Sequence, residues 1–347
     1  MAFYTVMDGF YTQSVLVQSR PNAVDGLSTI LLVSGDSTLD GDRYRTYASL
    51  ADVQTDVDAG DVSATALAMA TTAFGQSPRP ALVAIGRQTD PESFSAALTA
   101  ISAAGLLFSM FAIDSHVAAD VTSAASFAET GYFLFVAVCN DAAAITGSPP
   151  SGWPTTSKNT AKIYHPTAGQ YPDVAAIALA AGLDPDVQCP AFSAPGSSVT
   201  AYSLTTAQRN FAVANGFNAL APLDTGEATY PDGPLKATTG EFAYIAFTKA
   251  WLTIRDRQAI AAAYAGYASF NQKFPYNAAG IAAITGALND VTQTGLAAGY
   301  FAPTEALPLG FTTQVTLGGG AATVVRRIGI LDAVETISDT VYLERAA

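Results

Sequence analysis

The sequence predicts an α/β fold: a mostly parallel sheet core flanked by helices, with extended β-strand arms at both termini. Three observations predict it. Residues 81–181 alternate short β-prone runs with helix-length stretches, the signature of successive βα units. Residues 27–33, LSTILLV, form the continuous apolar run that fills a strand buried on both faces. Residues 1–20 and 311–347 carry strand-forming residues without helical periodicity.

Taken in order, residues 11–19 (YTQSVLVQS) favour an extended strand that Pro21 and Asn22 end. That strand has no partner nearby in sequence, so it must pair elsewhere. After the 27–33 strand and the turn SGDSTLDGD, Ser49 with Asp52 three residues on marks a capped helix start, and a helix covers 64–74. Strands at 81–85, 107–113, 132–138 and 162–165 then alternate with helices at 91–104, 117–129 and 172–181, with an irregular loop at 147–157. Residues 183–240, rich in Pro, Gly, Ser and Thr, read as surface loops around one short helix at 205–215, with a turn at Pro231-Asp232-Gly233-Pro234.

The stretch 241–303 reads as two helices joined by a Pro-containing turn. Tyr244, Phe247, Trp251 and Ile254 line one stripe of the first, and Ile281, Ile284, Leu288 and Val291 one stripe of the second. Core packing is the ordinary meaning of such stripes. Residues 311–317 alternate as a strand, and Gly318, Gly319 and Gly320 form a joint. Two further β-prone runs follow at 322–331 and 334–343. The second sets Ile337, Val341 and Leu343 against Thr336, Ser338 and Thr340 on its other face. The chain therefore divides into an arm at 1–20, an α/β core at 21–310 with room for two subdomains around the loop-rich 183–240, and a β arm at 311–347.

Only 13% of the 347 residues are charged, roughly half the usual ~25%. A surface so poor in charge fits a protein covered by neighbours. The net charge of −13 repels phosphate backbones and argues against nucleic acid as a partner. No long apolar run implies membrane insertion, and the opening MAFYTVMDGF has neither the basic region nor the small-residue cleavage site of a signal peptide, so the expected site of synthesis and assembly is the cytoplasm.

The strongest catalytic pattern is Gly35-Asp36-Ser37 after an apolar strand, placed like the nucleophile block of a GDS-type esterase using Ser37. Such a serine needs a histidine to take its proton and a carboxylate to orient that histidine. The family supplies this histidine near the C-terminal end, whereas the chain has only His116 and His165. Asp114-Ser115-His116 has the wrong spacing, so Gly35–Ser37 reads as a turn. The two histidines share no ligand spacing with Asp114 or Asp141 that would hold a metal, and Cys139 and Cys189 read as buried thiols. No phosphate-binding glycine motif occurs. No catalytic residue, metal or cofactor is expected. Arg255, Asp256 and Arg257 read as a solvated helix face. Arg326 and Arg327, set in an apolar strand, would reach acidic groups on a neighbouring subunit.

A helix with Trp251-Leu252 near its middle, the turn Phe274-Pro275-Tyr276-Asn277, a second helix opening Ala279-Gly280-Ile281 and a close between Gly299 and Pro303 resemble the C-terminal half of contractile-tail sheath proteins, in particular the short sheath-like proteins of bacteriophages. Leu204-Thr205-Thr206-Ala207-Gln208 leading to Asn215 and Asn218, and Ser77-Pro78-Arg79-Pro80 followed by Ile85-Gly86-Arg87, resemble earlier segments of the same family. The resemblance spans most of the chain through several short motifs in order. It implies a non-enzymatic structural subunit located in the virion as tail sheath, whose terminal arms add strands to neighbouring subunits. On that basis Tyr11, Val15 and Val17, together with Val324, Val325, Arg326, Arg327, Ile328, Ile337, Val341 and Leu343, are the expected interface residues. The implied partners are further copies of the chain in a helical homo-polymer, a tail tube protein, and baseplate and tail-terminator proteins.

Overall fold

The computed structural model describes residues 26–192, 199–222, 228–229, 235–270, 272–318, 321–329 and 339–343. The described residues fall into two units, one within 26–185 and 190–250 and the other within 186–189 and 251–343.

The first unit opens with β1 (Thr29–Ser34), every residue of which is buried. The edge strand β2 (Tyr44–Tyr47) follows, then α1 (Leu50–Asp58) and α2 (Ala64–Phe74). Ser49 and Ser63 cap these two helices, accepting from the backbone N–H of Asp52 and Ala66. The βα series continues through β3 (Leu82–Arg87), α3 (Phe94–Ala103), β4 (Met110–Ile113), α4 (Ala118–Ala128), β5 (Leu134–Cys139), β6 (Thr160–Tyr164) and α5 (Pro172–Ala181). It ends with α6 (Thr206–Ala214), started by a Thr205/Gln208 capping box, and the short β7 (Asn218–Ala219). A two-stranded ribbon, β8 (Ala221–Pro222) with β9 (Ala228–Thr229), follows.

These strands make a seven-stranded sheet in the order β2-β3-β1-β4-β5-β6-β7. Only β2 runs antiparallel to its neighbour. Phe111 and Phe135 from adjacent strands stack at 4.8 Å, and Phe127 stacks on Phe133 at 4.7 Å, so aromatic pairs fill the layer between sheet and helices. Helix α5 is apolar around most of its circumference, the composition of a helix buried on all sides.

In the second unit α7 (Ala243–Ser269), of which it holds the part from Trp251, is followed by α8 (Ala278–Ala297), capped by Asn277. Gly280 in α8 has no room for a side chain, because an added Cβ would collide with the Pro275 carbonyl. That contact sets how tightly the turn closes on the helix. Trp251 is fully buried, stacked on Tyr300 at 4.6 Å, and its Nε1–H donates to Asp186 at 2.9 Å. β10 (Phe311–Gly318) and β11 (Ala321–Ile328) pair antiparallel, and β12 (Asp339–Leu343) pairs antiparallel along β11. Ile284 and Leu288 of α8 pack against Ala322 and Val324 of β11, with Val315 of β10 alongside.

The boundary between units falls at Ala250/Trp251, inside α7. Residues 311–328 are a hairpin seated on α8 because their alternating apolar face has α8 to cover it.

Candidate assembly surfaces and the Ser37 region

The sheet of the second unit is where the expected interface residues are gathered. Its order is β10-β11-β12, so among the described residues the outer edge of β10 carries no partner strand. Side chains along β11 alternate. Val324, Arg326 and Ile328 are buried, whereas Val325 and Arg327 are exposed. Val341 of β12 stands opposite Val324, and Leu343 opposite Ala322. Tyr11, Val15, Val17 and Ile337 lie outside the described residues.

Arg326 is a correction. Its guanidinium is buried and meets acid within its own chain, donating to Asp256 of α7 and to the Thr292 hydroxyl of α8. A buried guanidinium demands a carboxylate at close range, and α7 supplies one before any neighbour can. Asp256 is therefore not part of a solvated face, and Arg255 beside it donates to Asp186 at 2.7 Å. Val324 and Ile328 are likewise buried within this unit.

The loop after β1 is closed by internal hydrogen bonds. Ser37 is buried; its Oγ accepts from the Ser63 N–H at 3.1 Å and donates to the Ser63 hydroxyl at 3.4 Å. Gly35 N–H donates to Asp114 at 2.9 Å across the β1/β4 edge. The carboxyl ends of these strands are where α/β proteins commonly place ligands. Here the polar groups of that edge hold the loop and the start of α2. Neither histidine bonds to Ser37: both ring nitrogens of His165 engage backbone groups of Thr167 and Thr200, and burial lowers the pKa of His116, whose Nδ1 is buried with no hydrogen-bond partner among the described residues.

Among the described residues no group of three His, Cys, Asp or Glu side chains is placed to hold a metal. Burial pushes the Cys139 thiol up to about 11, the behaviour of an inert core cysteine. Cys189 is only half-buried, against expectation. No helix among the described residues is long and apolar enough to cross a membrane. Sequence reasoning missed Lys162, a lysine 1% exposed in β6; its one signal was a cation inside the apolar run TAKIY.

No family model matches the sequence, and a search of characterised proteins found no relative. Solved structures do match across almost the whole chain. The sheath tail protein Lin1278 from Listeria innocua is 12% identical with a TM-score of 0.61, over 91% of this chain and 94% of that one. The fold is that of a contractile-tail sheath protein. The anti-feeding prophage helical sheath in its contracted state, 12% identical with a TM-score of 0.61, covers 92% of this chain and 96% of its own. The sheath tail protein DSY3957 from Desulfitobacterium hafniense, 12% identical with a TM-score of 0.58, covers 95% and 100%. The sheath fold extends over both units, so the resemblance drawn from scattered motifs holds for the fold of the chain as a whole.

Proposed function

We propose that this chain is a structural subunit of a contractile tail sheath that polymerises around a tail tube by exchanging β-strands and contracts by rigid-body rearrangement of its subunits. The observation that carries the reading is the three-stranded sheet of the second unit. One of its edge strands, β12, is connected through residues 330–338 and lies along β11, while β10 leaves its other edge open among the described residues. A strand joined to its sheet by a connector is the element most readily traded between identical copies, because the backbone ladder it forms is the same in either chain. In the polymer, β12 of one subunit occupies this seat on the next, and the strand-prone 11–19 pairs with an open β10 edge. The exposed Val325 and Arg327 then face other copies. Heterologous contacts of this kind continue without closing and generate a helix.

Contraction follows as a change of packing between rigid bodies that stay linked through the exchanged strands. The tube, baseplate and terminator complete the list of partners. The esterase alternative drops out, because Ser37 is buried and bonded to Ser63, with no histidine bonded to it. Negative-stain microscopy of the purified protein tests the reading: the intact chain forms hollow striated tubes, and chains lacking 1–20 or 339–347 stay as monomers. Tubes from either truncated chain overturn strand exchange.

A further inference from the structure

Among the described residues two cations are almost wholly buried, Arg326 and Lys162. Arg326 has Asp256, and the partly buried Arg43 and Arg45 pair with Glu92 and with Asp56 and Asp61. Lys162, as deeply buried as Arg326, has no such carboxylate. Its Nζ donates to the Asn215 carbonyl at 3.2 Å and sits 4.3 Å from the Phe217 ring centroid, and no ion pair among the described residues includes it. Burial without a carboxylate holds its ammonium down to about 8, the cost of keeping a cation where water is scarce.

What Lys162 does face is space. It lines a cavity of about 560 Å³ within the first unit, together with Lys236, whose Nζ lies 5.7 Å over the Phe242 ring and also joins no ion pair among the described residues. Trp153 and Phe217, packed edge to face at 5.6 Å, give the cavity an apolar wall. Three of the other polar side chains in its lining are committed elsewhere: the Asn215 amide donates to the carbonyls of Ala144 and Thr146, the Asn218 amide to those of Lys162 and Lys236, and the Thr238 hydroxyl to the Ser157 carbonyl. Two ammonium groups with no counter-ion among the described residues, an apolar wall and room for several heavy atoms make a receptor for an anion with a hydrophobic body.

We propose that this cavity binds a carboxylate carried on a small apolar stem, with Lys162 and Lys236 meeting its charge. The carboxylate comes either from a free small acid or from an acidic side chain of a second copy, which a chain of net charge −13 supplies in quantity. A carboxylate is favoured because charge-assisted N–H···O bonds to it remove the unpaired charge that Lys162 now bears.

The test is carbon-13 NMR of the lysine Cε signals during titration with benzoate, with benzamide and chloride as neutral and simple-anion controls at constant ionic strength. Benzoate saturably shifts the Lys162 signal and raises its titration midpoint above about 8. Lys162→Met weakens benzoate binding by about tenfold or more, the loss of one charge-assisted bond, and Lys236→Met weakens it less. A response equal for benzoate and benzamide or chloride overturns the proposal, as does unchanged affinity in K162M. Mild acetylation of amines, read by mass spectrometry on assembled and unassembled protein, separates the sources. Protection of Lys162 only in the assembly assigns the carboxylate to a second copy, and equal modification assigns it to a free acid.

Discussion

Replacing Arg326 by Met strands the Asp256 carboxylate in the interior of the second unit. The native pair is almost wholly excluded from water, with side chains 1% and 4% exposed, and Thr292 completes it. Removing one member of such a pair typically costs about 3–5 kcal/mol, because the partner keeps its desolvation penalty and loses its compensation. The double variant R326M/D256L removes both charges, so most of that loss returns, leaving a change within about 1–2 kcal/mol of the native chain. Urea unfolding followed by Trp251 fluorescence in a W153F background reads the correct unit, since Trp251 stacks on Tyr300 within it. The alternative, that Arg326 serves a neighbouring subunit, predicts a normal monomer that fails to assemble. A loss below about 1 kcal/mol in R326M, or a double variant as unstable as the worse single one, refutes the internal-pair argument.

Burial raises the Asp173 carboxyl in α5 from the ordinary aspartate value of 3.8 to about 7. A raised carboxyl pKa means the unfolded chain ionises first. Stability from this group is therefore full below about 4, falls as pH rises towards 7 and is level above, by up to roughly 4 kcal/mol; urea midpoints at pH 4.5, 6 and 8 lose that slope in Asp173→Asn. Gly280→Ala forces a methyl group into the Pro275 carbonyl and costs about 2 kcal/mol or more in thermal unfolding, far beyond the small gain Ala brings to a helix interior. Deleting 323–347, unlike deleting 339–347, removes the buried Val324, Arg326 and Ile328 and uncovers Ile284 and Leu288, so circular dichroism shows loss of the second unit and not a folded monomer.

Where the sequence was legible, the determinant was local. The run LSTILLV becomes β1 because its side chains are apolar on both faces, and Ser49 and Ser63 start helices because a hydroxyl beside an orphan N–H acts within three residues. The alternation from β3 to α5 follows in the same way. What failed was pairing over long separations. Asp256 and Arg326 lie 70 residues apart, and a charge on an amphipathic helix looks solvated until the hairpin that covers it is in place. Residues 311–328 read as an arm because strand propensity says nothing about what a strand lies against, and α8 is the missing fact.

Lys162 is the same failure with the opposite outcome. A lysine in a parallel strand is itself a signal, since both faces of such a strand are covered and the cation must meet either a carboxylate or an opening. For Arg326 the chain provides the carboxylate, and the site is structural. For Lys162 it provides the opening beside Lys236, and Phe217 shields the charge without neutralising it. A buried cation thus separates two kinds of position in this molecule: those completed by folding, and those that folding leaves for another molecule to complete.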